Sequence, residues 1–267
     1  MGGHKPTPSE EAPQMANPMD FVTPSQFVEL PSGGNYHENH PLHGQGTIEI
    51  KYMTAKDEDI LTNRSLLKKG LAIDRLIQNL ILNKGINARS LLIGDRNAIL
   101  INARASAYGA DYKTKIACPG CGETSKFEFD LAEHQIHAGE IEEGTNIKSL
   151  GDGTYVVTLP LSTVQARFRL LTGQDEIDLI SDKKSVEKDL VTRQMKSYII
   201  DFNGYEDRKT IHYVVDNMVA TDSRYLRDCV RMVTPDISMN QEFSCKHCEH
   251  KEVVAVPFGT EFFWPDR

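Results

Sequence analysis

Two Cys-x-x-Cys pairs constrain the fold of this chain more than any other feature of its sequence. Four of the five cysteines form the pairs Cys118/Cys121 and Cys245/Cys248, and the fifth, Cys229, stands alone. Two thiolates three residues apart on a tight turn, here called a knuckle, can both face one cation. They leave two positions of a tetrahedron for a second knuckle. The spacing therefore predicts one structural zinc ion, Zn²⁺, held by four sulfur ligands.

The residues around the two knuckles match each other when the sequence is shifted by 127 positions, so that Ile116 falls on Phe243. The apolar alternation continues beyond the cysteines, with Phe127 on Val254, Phe129 on Val256 and Leu131 on Phe258. Each half is predicted to be a strand, a knuckle and a returning strand, which is the arrangement of a zinc ribbon. The residues between the two halves are then an insertion.

Other uses of paired cysteines fit this sequence less well. A thioredoxin-type redox motif needs an accessible cysteine of low pKa before a helix, whereas both knuckles here lead into predicted strands. Disulfides are disfavoured because the start of the chain has no apolar signal core, which makes a reducing compartment the expectation. His247 and His250 lie beside the second knuckle and are interpreted as surface residues. Catalytic zinc keeps an open position for water, and four thiolates leave none.

The periodicity of the remaining chain predicts an α+β fold: zinc-ribbon-like β hairpins split by a largely helical insertion, plus an N-terminal strand-helix region and an extended N-terminal arm. The predicted parts are the arm 1–46, a strand plus helices at 47–110, the split ribbon with its aromatic C-terminal tail at 111–132 and 240–267, and the mostly helical insertion with a β hairpin at 133–239. The arm is rich in proline and glycine. Whether it orders only on binding or remains a tail is left open. Beyond residue 172 the chain reads as helical almost to residue 234.

Composition narrows the functional classes. The chain has 267 residues and a net charge of -8, which opposes the field that a nucleic-acid binder uses to collect phosphates. Lysines and glutamates near the knuckles balance each other. No apolar run is long enough to cross a membrane, and no nucleophile-base-acid set indicates an enzyme. A zinc-ribbon nucleic-acid-binding or transcription-associated module remains the alternative, because isolated ribbons often serve there.

Several segments together resemble one family. They are Leu30-Pro31-Ser32-Gly33-Gly34, the strand-to-helix segment 49–61, the split knuckles and the terminal segment 257–265, which contains Phe262-Phe263-Trp264-Pro265. These segments resemble the T4-type baseplate hub proteins of contractile-tailed bacteriophages, from about residue 28 onward. The resemblance implies a structural or tail-assembly role in the central hub of the baseplate, in the virion and in the host cytoplasm during assembly, without catalysis.

The implied partners are other phage baseplate and tail proteins, with no small-molecule substrate, no membrane and no nucleic acid. Apolar residues of the arm and of the C-terminal tail are the candidate partner contacts. They are Phe21, Phe27, Leu30, Phe262, Phe263 and Trp264. Aromatic side chains bury large areas, so each aromatic residue of the tail (Phe258, Phe262, Phe263 and Trp264) is expected to contribute about 2 kcal/mol where it packs. Most of them are expected to fold back onto the ribbon, with one or two reaching a partner.

Overall fold

The computed structural model describes residues 23–181, 189–238, 240–255 and 262–263. These residues form the predicted mixture of helices and small antiparallel hairpins, so the α+β fold class is confirmed. Within the described ranges, none of the helices combines the length and the apolar character that a membrane span requires.

The chain first forms a two-stranded antiparallel sheet. Strand β1, Ser25–Glu29, pairs with β2, Thr47–Lys51, and places Val28 opposite Ile48. The turn-rich loop between the strands buries Leu30, Tyr36 and Leu42. Residues 23–46 of the range predicted as an arm therefore pack onto the rest of the protein, whereas residues 1–22 lie outside the described ranges.

A buried carboxylate fixes the loop that follows β1. Asp95 is fully buried, and its Oδ1 accepts a hydrogen bond of 3.0 Å from the backbone N–H of Ser32. Its Oδ2 accepts the hydroxyls of Ser32 at 2.7 Å and of Tyr36 at 2.5 Å. The Tyr36 hydroxyl also accepts the backbone N–H of Leu92 at 3.1 Å. Burial raises the pKa of Asp95, and the hydrogen bonds from Ser32 and Tyr36 offset part of that rise.

Four helices follow β2: α1, Ala55–Thr62, α2, Arg64–Lys68, α3, Ala72–Leu80, and α4, Ile93–Tyr108. A capping box is present at the start of α1, where the Asp57 carboxylate accepts from both the N–H and the hydroxyl of Thr54. A break at Gly70, which has a φ of 67°, separates α2 from α3. A short 3₁₀ helix, Ala88–Ser90, precedes α4.

The two hairpins that carry the cysteines are β3, Asp111–Ala117, with β4, Thr124–Asp130, and β11, Asn240–Ser244, with β12, Lys251–Ala255. The chain between them contains a four-stranded antiparallel sheet in the order β6-β7-β8-β9. Its strands are β6, Ile147–Ser149, β7, Thr154–Thr158, β8, Gln165–Arg169, and β9, Ile199–Phe202. Strands β5, Gln135–His137, and β10, Asp236–Ser238, form a separate pair.

The described helices of this central part are α5, Gly173–Ser181, α6, Leu190–Tyr198, α7, Arg208–Asn217, and α8, Ala220–Val233. The prediction of helix almost throughout 172–234 is wrong at β9, which pairs with β8 through Phe202 opposite Ala166. The pairing buries Ile199 and Phe202 in the sheet, and that long-range burial decides the strand.

Buried apolar side chains from all these parts form one continuous core. It contains Ile50 of β2, Leu76 of α3, Phe129 of β4, Phe168 of β8 and Phe262 near the C-terminus. The hairpin β3-β4 is thus attached to the main body through its inward face. A second, much smaller cluster contains Cys118, Phe243 and Cys245 and lies between the two hairpins.

Candidate metal centre

The two cysteine hairpins are equivalent in register as well as in sequence. Ile116 pairs with Ser125 in the first hairpin, and Phe243 pairs with Glu252 in the second, so both pairings obey the same shift of 127 positions. The backbone N–H of Cys118 donates to the carbonyl of Glu123 at 2.9 Å, and that of Cys245 donates to the carbonyl of His250, also at 2.9 Å. The predicted matches to Val256 and Phe258 lie outside the described residues.

The knuckle turns share an unusual backbone position. Gly122 has a φ of 75°, and the equivalent residue in the second hairpin, Glu249, has a φ of 57°. Glycine adopts this left-handed conformation without steric cost, whereas a side chain makes it unfavourable by roughly 1–2 kcal/mol. The second turn adopts the same backbone shape despite this cost, and its two sulfurs therefore point in the same way as those of the first turn.

The two knuckles bring their four sulfur atoms together. The Sγ atoms of Cys118 and Cys248 are 3.7 Å apart, and those of Cys121 and Cys245 are 3.8 Å apart. All four lie within 4.8 Å of one another. A tetrahedral ion with metal–sulfur bonds of about 2.3 Å requires an edge of about 3.8 Å, whereas a disulfide requires about 2.05 Å. The cluster therefore fits a single tetrahedral metal ion.

The electrostatics of the sulfurs also favour a cation. The backbone N–H of His247 donates to the Sγ of Cys245 at 3.4 Å and lowers the pKa of that thiol to about 6. The backbone of Glu123 lowers the pKa of Cys121, but the neighbouring thiols raise it more, to about 12. Four thiolates this close repel one another, so a bound cation would allow all of them to deprotonate and would release protons.

The histidines of the second knuckle do not join the cluster. His250 places its Nε2 3.2 Å from the Oε2 of Glu252, and its ring packs against the first knuckle at Gly120. A Cβ at Gly120 would lie 3.0 Å from that ring, so glycine permits the close approach of the knuckles. Among the described residues, no His, Cys, Asp or Glu group besides the four cysteines is arranged to hold a metal ion.

Aromatic side chains connect the metal centre to the core. The ring of Phe127 lies 5.6 Å from that of Phe243 across the two hairpins, and 4.7 Å from that of Phe129 in its own strand. On the inner side, Tyr112 contacts Phe262 at 5.1 Å, measured between ring centroids. Sequence reasoning missed a further link: the Gln241 carboxamide accepts the N–H of Asp130 at 3.3 Å and donates to its carbonyl at 2.7 Å.

The predicted partner contacts have different environments. Leu30, Phe262 and Phe263 are buried within the protein itself, each no more than 2% exposed. Phe262 is held further by a hydrogen bond of 3.1 Å from the Nε of Arg104 to its carbonyl. Phe27 is 72% exposed on the outer face of β1. Phe21 and Trp264 lie outside the described residues.

Comparison with known proteins identifies the family. The sequence matches the family model described as T4 bacteriophage base plate protein over residues 23–264. The chain belongs to this family. Membership implies a structural role in a phage baseplate, a location in the virion tail and contacts with other tail proteins. No curated protein matches the sequence significantly, and no solved structure does so either. The matched range begins just before β1 and contains both knuckles.

Proposed function

We propose that this baseplate protein is a structural or assembly component of the central hub of a contractile phage tail, where it acts through protein–protein contacts and holds one structural Zn²⁺. The observation that carries the proposal is the meeting of two equivalent knuckles, with sulfurs at the spacing of a tetrahedron, in a chain of the baseplate family. The residues that would hold the ion are Cys118, Cys121, Cys245 and Cys248.

Zinc is the metal that suits these ligands best. Tetrahedral sites of four sulfurs bind zinc or iron, and zinc has no redox chemistry of its own. When bound, zinc supplies structural cross-linking with no open coordination position. The protein is therefore proposed to have no enzymatic role.

The metal would stabilise the association of the two cysteine hairpins. Cys121 and Cys245 are separated by 124 residues, and joining such distant segments carries a loop-closure entropy cost. Two-stranded hairpins are marginally stable by themselves, and the apolar cluster between these two is small. A metal bound to both knuckles would hold β11-β12 against β3-β4, where Phe243 and Phe127 meet.

The hub position rests on the resemblance of the segments at 30–34, 49–61 and 257–265 to hub proteins. Partner contact through exposed apolar surface is supported by Phe27, whose ring is largely in solvent although its neighbours in β1 pack inward. A ring of this size, buried by a partner, would contribute about 2 kcal/mol to association.

Quantitative mass spectrometry of purified tails and of tail-assembly intermediates tests the role and the position. We expect a fixed copy number per baseplate and cross-links to central hub subunits. Cross-links confined to peripheral baseplate subunits would refute the hub position, and absence from both tails and intermediates would refute the baseplate role. Metal analysis of the purified, folded protein should give one zinc per chain. Tight, salt-sensitive DNA binding would favour the nucleic-acid module instead.

A further inference from the structure

A cleft opens between the two cysteine hairpins. It has a volume of about 520 Å³ and is lined by consecutive residues of β4, 125–128, and of β11, 242–244, together with residues 113–115 of β3 and Lys246. Strands β4 and β11 each pair with one neighbour and belong to separate two-stranded sheets within the described residues. Among the residues that the structure describes, the cleft therefore separates two strands that each lack a partner on one side.

The backbone of β4 presents hydrogen-bonding groups to this cleft. The N–H and C=O of Asp130 both bond to the side chain of Gln241 on β11, so they point away from β3 and towards the second hairpin. Backbone groups of alternate residues in a strand point to the same edge. Those of Glu128 and Lys126 therefore face the same open edge as Asp130. Gln241 occupies the place of a strand partner at Asp130, and no other described residue does so along this edge of β4.

The second hairpin offers a matching edge. In the second hairpin, the N–H of Cys245 donates to the carbonyl of His250, and Phe243 pairs with Glu252. The backbone groups of Cys245 and Phe243 therefore point towards the β12 side of the hairpin. The backbone groups of Glu242 and Ser244 alternate with these and point away from β12. Two free edges thus border one cleft, and a free edge is a template for pairing with another chain.

The cleft is also positively charged. Four lysines and two glutamates line it: Lys113, Lys115, Lys126, Lys246, Glu128 and Glu242. Lys113 pairs with Glu128 at 3.4 Å. Among the described residues, Lys115, Lys126 and Lys246 have no ion-pair partner.

Two of these lysines repel each other. Lys115 lies directly opposite Lys126 in the β3-β4 register. They form a non-hydrogen-bonded pair, in which side chains are closest, and like charges in that position are destabilising. An anionic group bound in the cleft would relieve this repulsion.

The cleft is also lined by a residue with a buried hydroxyl group, Ser125. Ser125 is 8% exposed, and its hydroxyl has no hydrogen-bond partner in the part of the chain that the structure describes. Buried hydroxyl groups are normally bonded, because leaving one unpaired costs roughly 1–3 kcal/mol. Beside it, Phe127 and Phe243 supply an apolar floor.

The geometry points to a docking site for an extended, acidic segment of another baseplate protein, which adds a strand between β4 and β11. Backbone pairing would use the free edges, carboxylates would pair with the lysines, and an apolar side chain would cover the phenylalanine floor. The free strand edges favour a peptide over nucleic acid, since they offer alternating N–H and C=O groups to a polypeptide backbone. This inference rests on the proposed role in the baseplate and names the chemistry of one partner.

Photo-cross-linking in assembling phage tails tests the site. The photoreactive residue p-benzoylphenylalanine replaces Ser244 in the cleft or, as a positional control, Lys209 on α7. Both are exposed, and Lys209 does not line the cleft. Mass spectrometry then identifies the cross-linked segment. We expect the Ser244 probe to capture one segment of a tail protein with two or more Asp or Glu residues, and the Lys209 probe not to capture it.

Charge reversal supplies the second measurement. In the Ser244 probe background, the double variant Lys115→Glu/Lys126→Glu should reduce the yield of that product at least tenfold. The matched variant Lys148→Glu/Lys209→Glu, which makes the same change of charge elsewhere, should leave the yield within twofold. Zinc content is measured in each variant, and it should be unchanged, because the lysines are assigned to the partner and not to the metal centre.

Several outcomes would overturn the inference: no cross-link from Ser244, a nuclease-sensitive product, a captured segment without acidic residues, or a yield unaffected by the double variant. Loss of zinc from Lys115→Glu/Lys126→Glu would show that the lysines serve the metal centre instead. The copy number in tails is measured in parallel. A protein present in baseplates without the expected cross-link refutes only the docking site, whereas its absence from tails and intermediates refutes the baseplate role.

Discussion

Replacing Tyr36 by phenylalanine tests how the loop after β1 is held. The substitution keeps the ring and removes the hydroxyl that donates to Asp95 at 2.5 Å and accepts from the N–H of Leu92 at 3.1 Å. A hydrogen bond to a charged group contributes about 1.5–3 kcal/mol, and a buried N–H left unpaired costs roughly 1–3 kcal/mol. Because Ser32 still donates to Asp95, we expect the free energy of unfolding to fall by about 3 kcal/mol, near the lower end of the sum of these two contributions.

The assay is urea unfolding at constant zinc content, with Tyr213→Phe as the matched control, since Tyr213 is 71% exposed. We expect the control to change the free energy of unfolding by less than about 0.5 kcal/mol. A loss of about 3 kcal/mol corresponds to a melting temperature roughly 6–12 °C lower. The pKa of Asp95 should also rise further, because the Tyr36 hydroxyl offsets part of the effect of burial. If Tyr36→Phe and Tyr213→Phe have equal stability, the network does not anchor the loop.

Three further measurements follow. Cys248→Ser should release the metal, whereas Cys229→Ser, which alters a buried cysteine outside the cluster, should retain it; equal metal content in both variants would contradict the four-sulfur site. Burial raises the pKa of Asp222, but hydrogen bonds from the β7-β8 loop lower it more. The ionised carboxylate therefore stabilises the fold at pH values above its unfolded pKa, and this stabilisation is lost as the pH falls through its folded pKa. Asp222→Asn should therefore lose less stability on acidification than the unmodified protein, as followed by unfolding at pH 7 and below pH 4. Phe262→Ala should lower the free energy of unfolding by about 3–5 kcal/mol. Phe27→Ala should leave the free energy of unfolding nearly unchanged and reduce incorporation into baseplates. A Phe27→Ala protein that loses stability but is incorporated normally would exclude Phe27 as a partner contact.

The clustering of the four cysteines was predictable because its information is local and repeated. A Cys-x-x-Cys turn fixes two ligands within four residues, and the shift of 127 positions relates the flanking strands as well as the cysteines. The register of the hairpins confirms that relation, with Ile116 opposite Ser125 and Phe243 opposite Glu252. The meeting of the sulfurs across the insertion followed from ligand number, since each knuckle supplies half of a tetrahedron.

Strand β9 was not predictable in the same way. Ile199 and Phe202 are three residues apart and follow a helix, so their spacing fits continued helix as well as it fits a strand. Pairing with β8 decides the conformation, and that pairing depends on residues more than thirty positions earlier in the chain. Periodicity within a short apolar run contains no information about such a distant neighbour.

The Asp95 network was missed for a related reason. An aspartate in the first turn of a helix usually serves the helix end, and the sequence gives no sign that a loop sixty residues earlier supplies its donors. Burial of Phe262 raises a similar difficulty, because an aromatic cluster predicts burial without indicating whether the covering surface is the same chain or a partner. The burial of Phe262 and its contact with Tyr112 show that it packs on its own core.

The separation of the two knuckles also sets an order of events during synthesis. Cys121 precedes Cys245 by 124 residues, which a ribosome adds in roughly 6–25 s. Throughout that interval the first hairpin has only half of its ligands and cannot complete a tetrahedral site. If the proposed zinc is bound, its site therefore closes late, after the residues between the two knuckles have been synthesised.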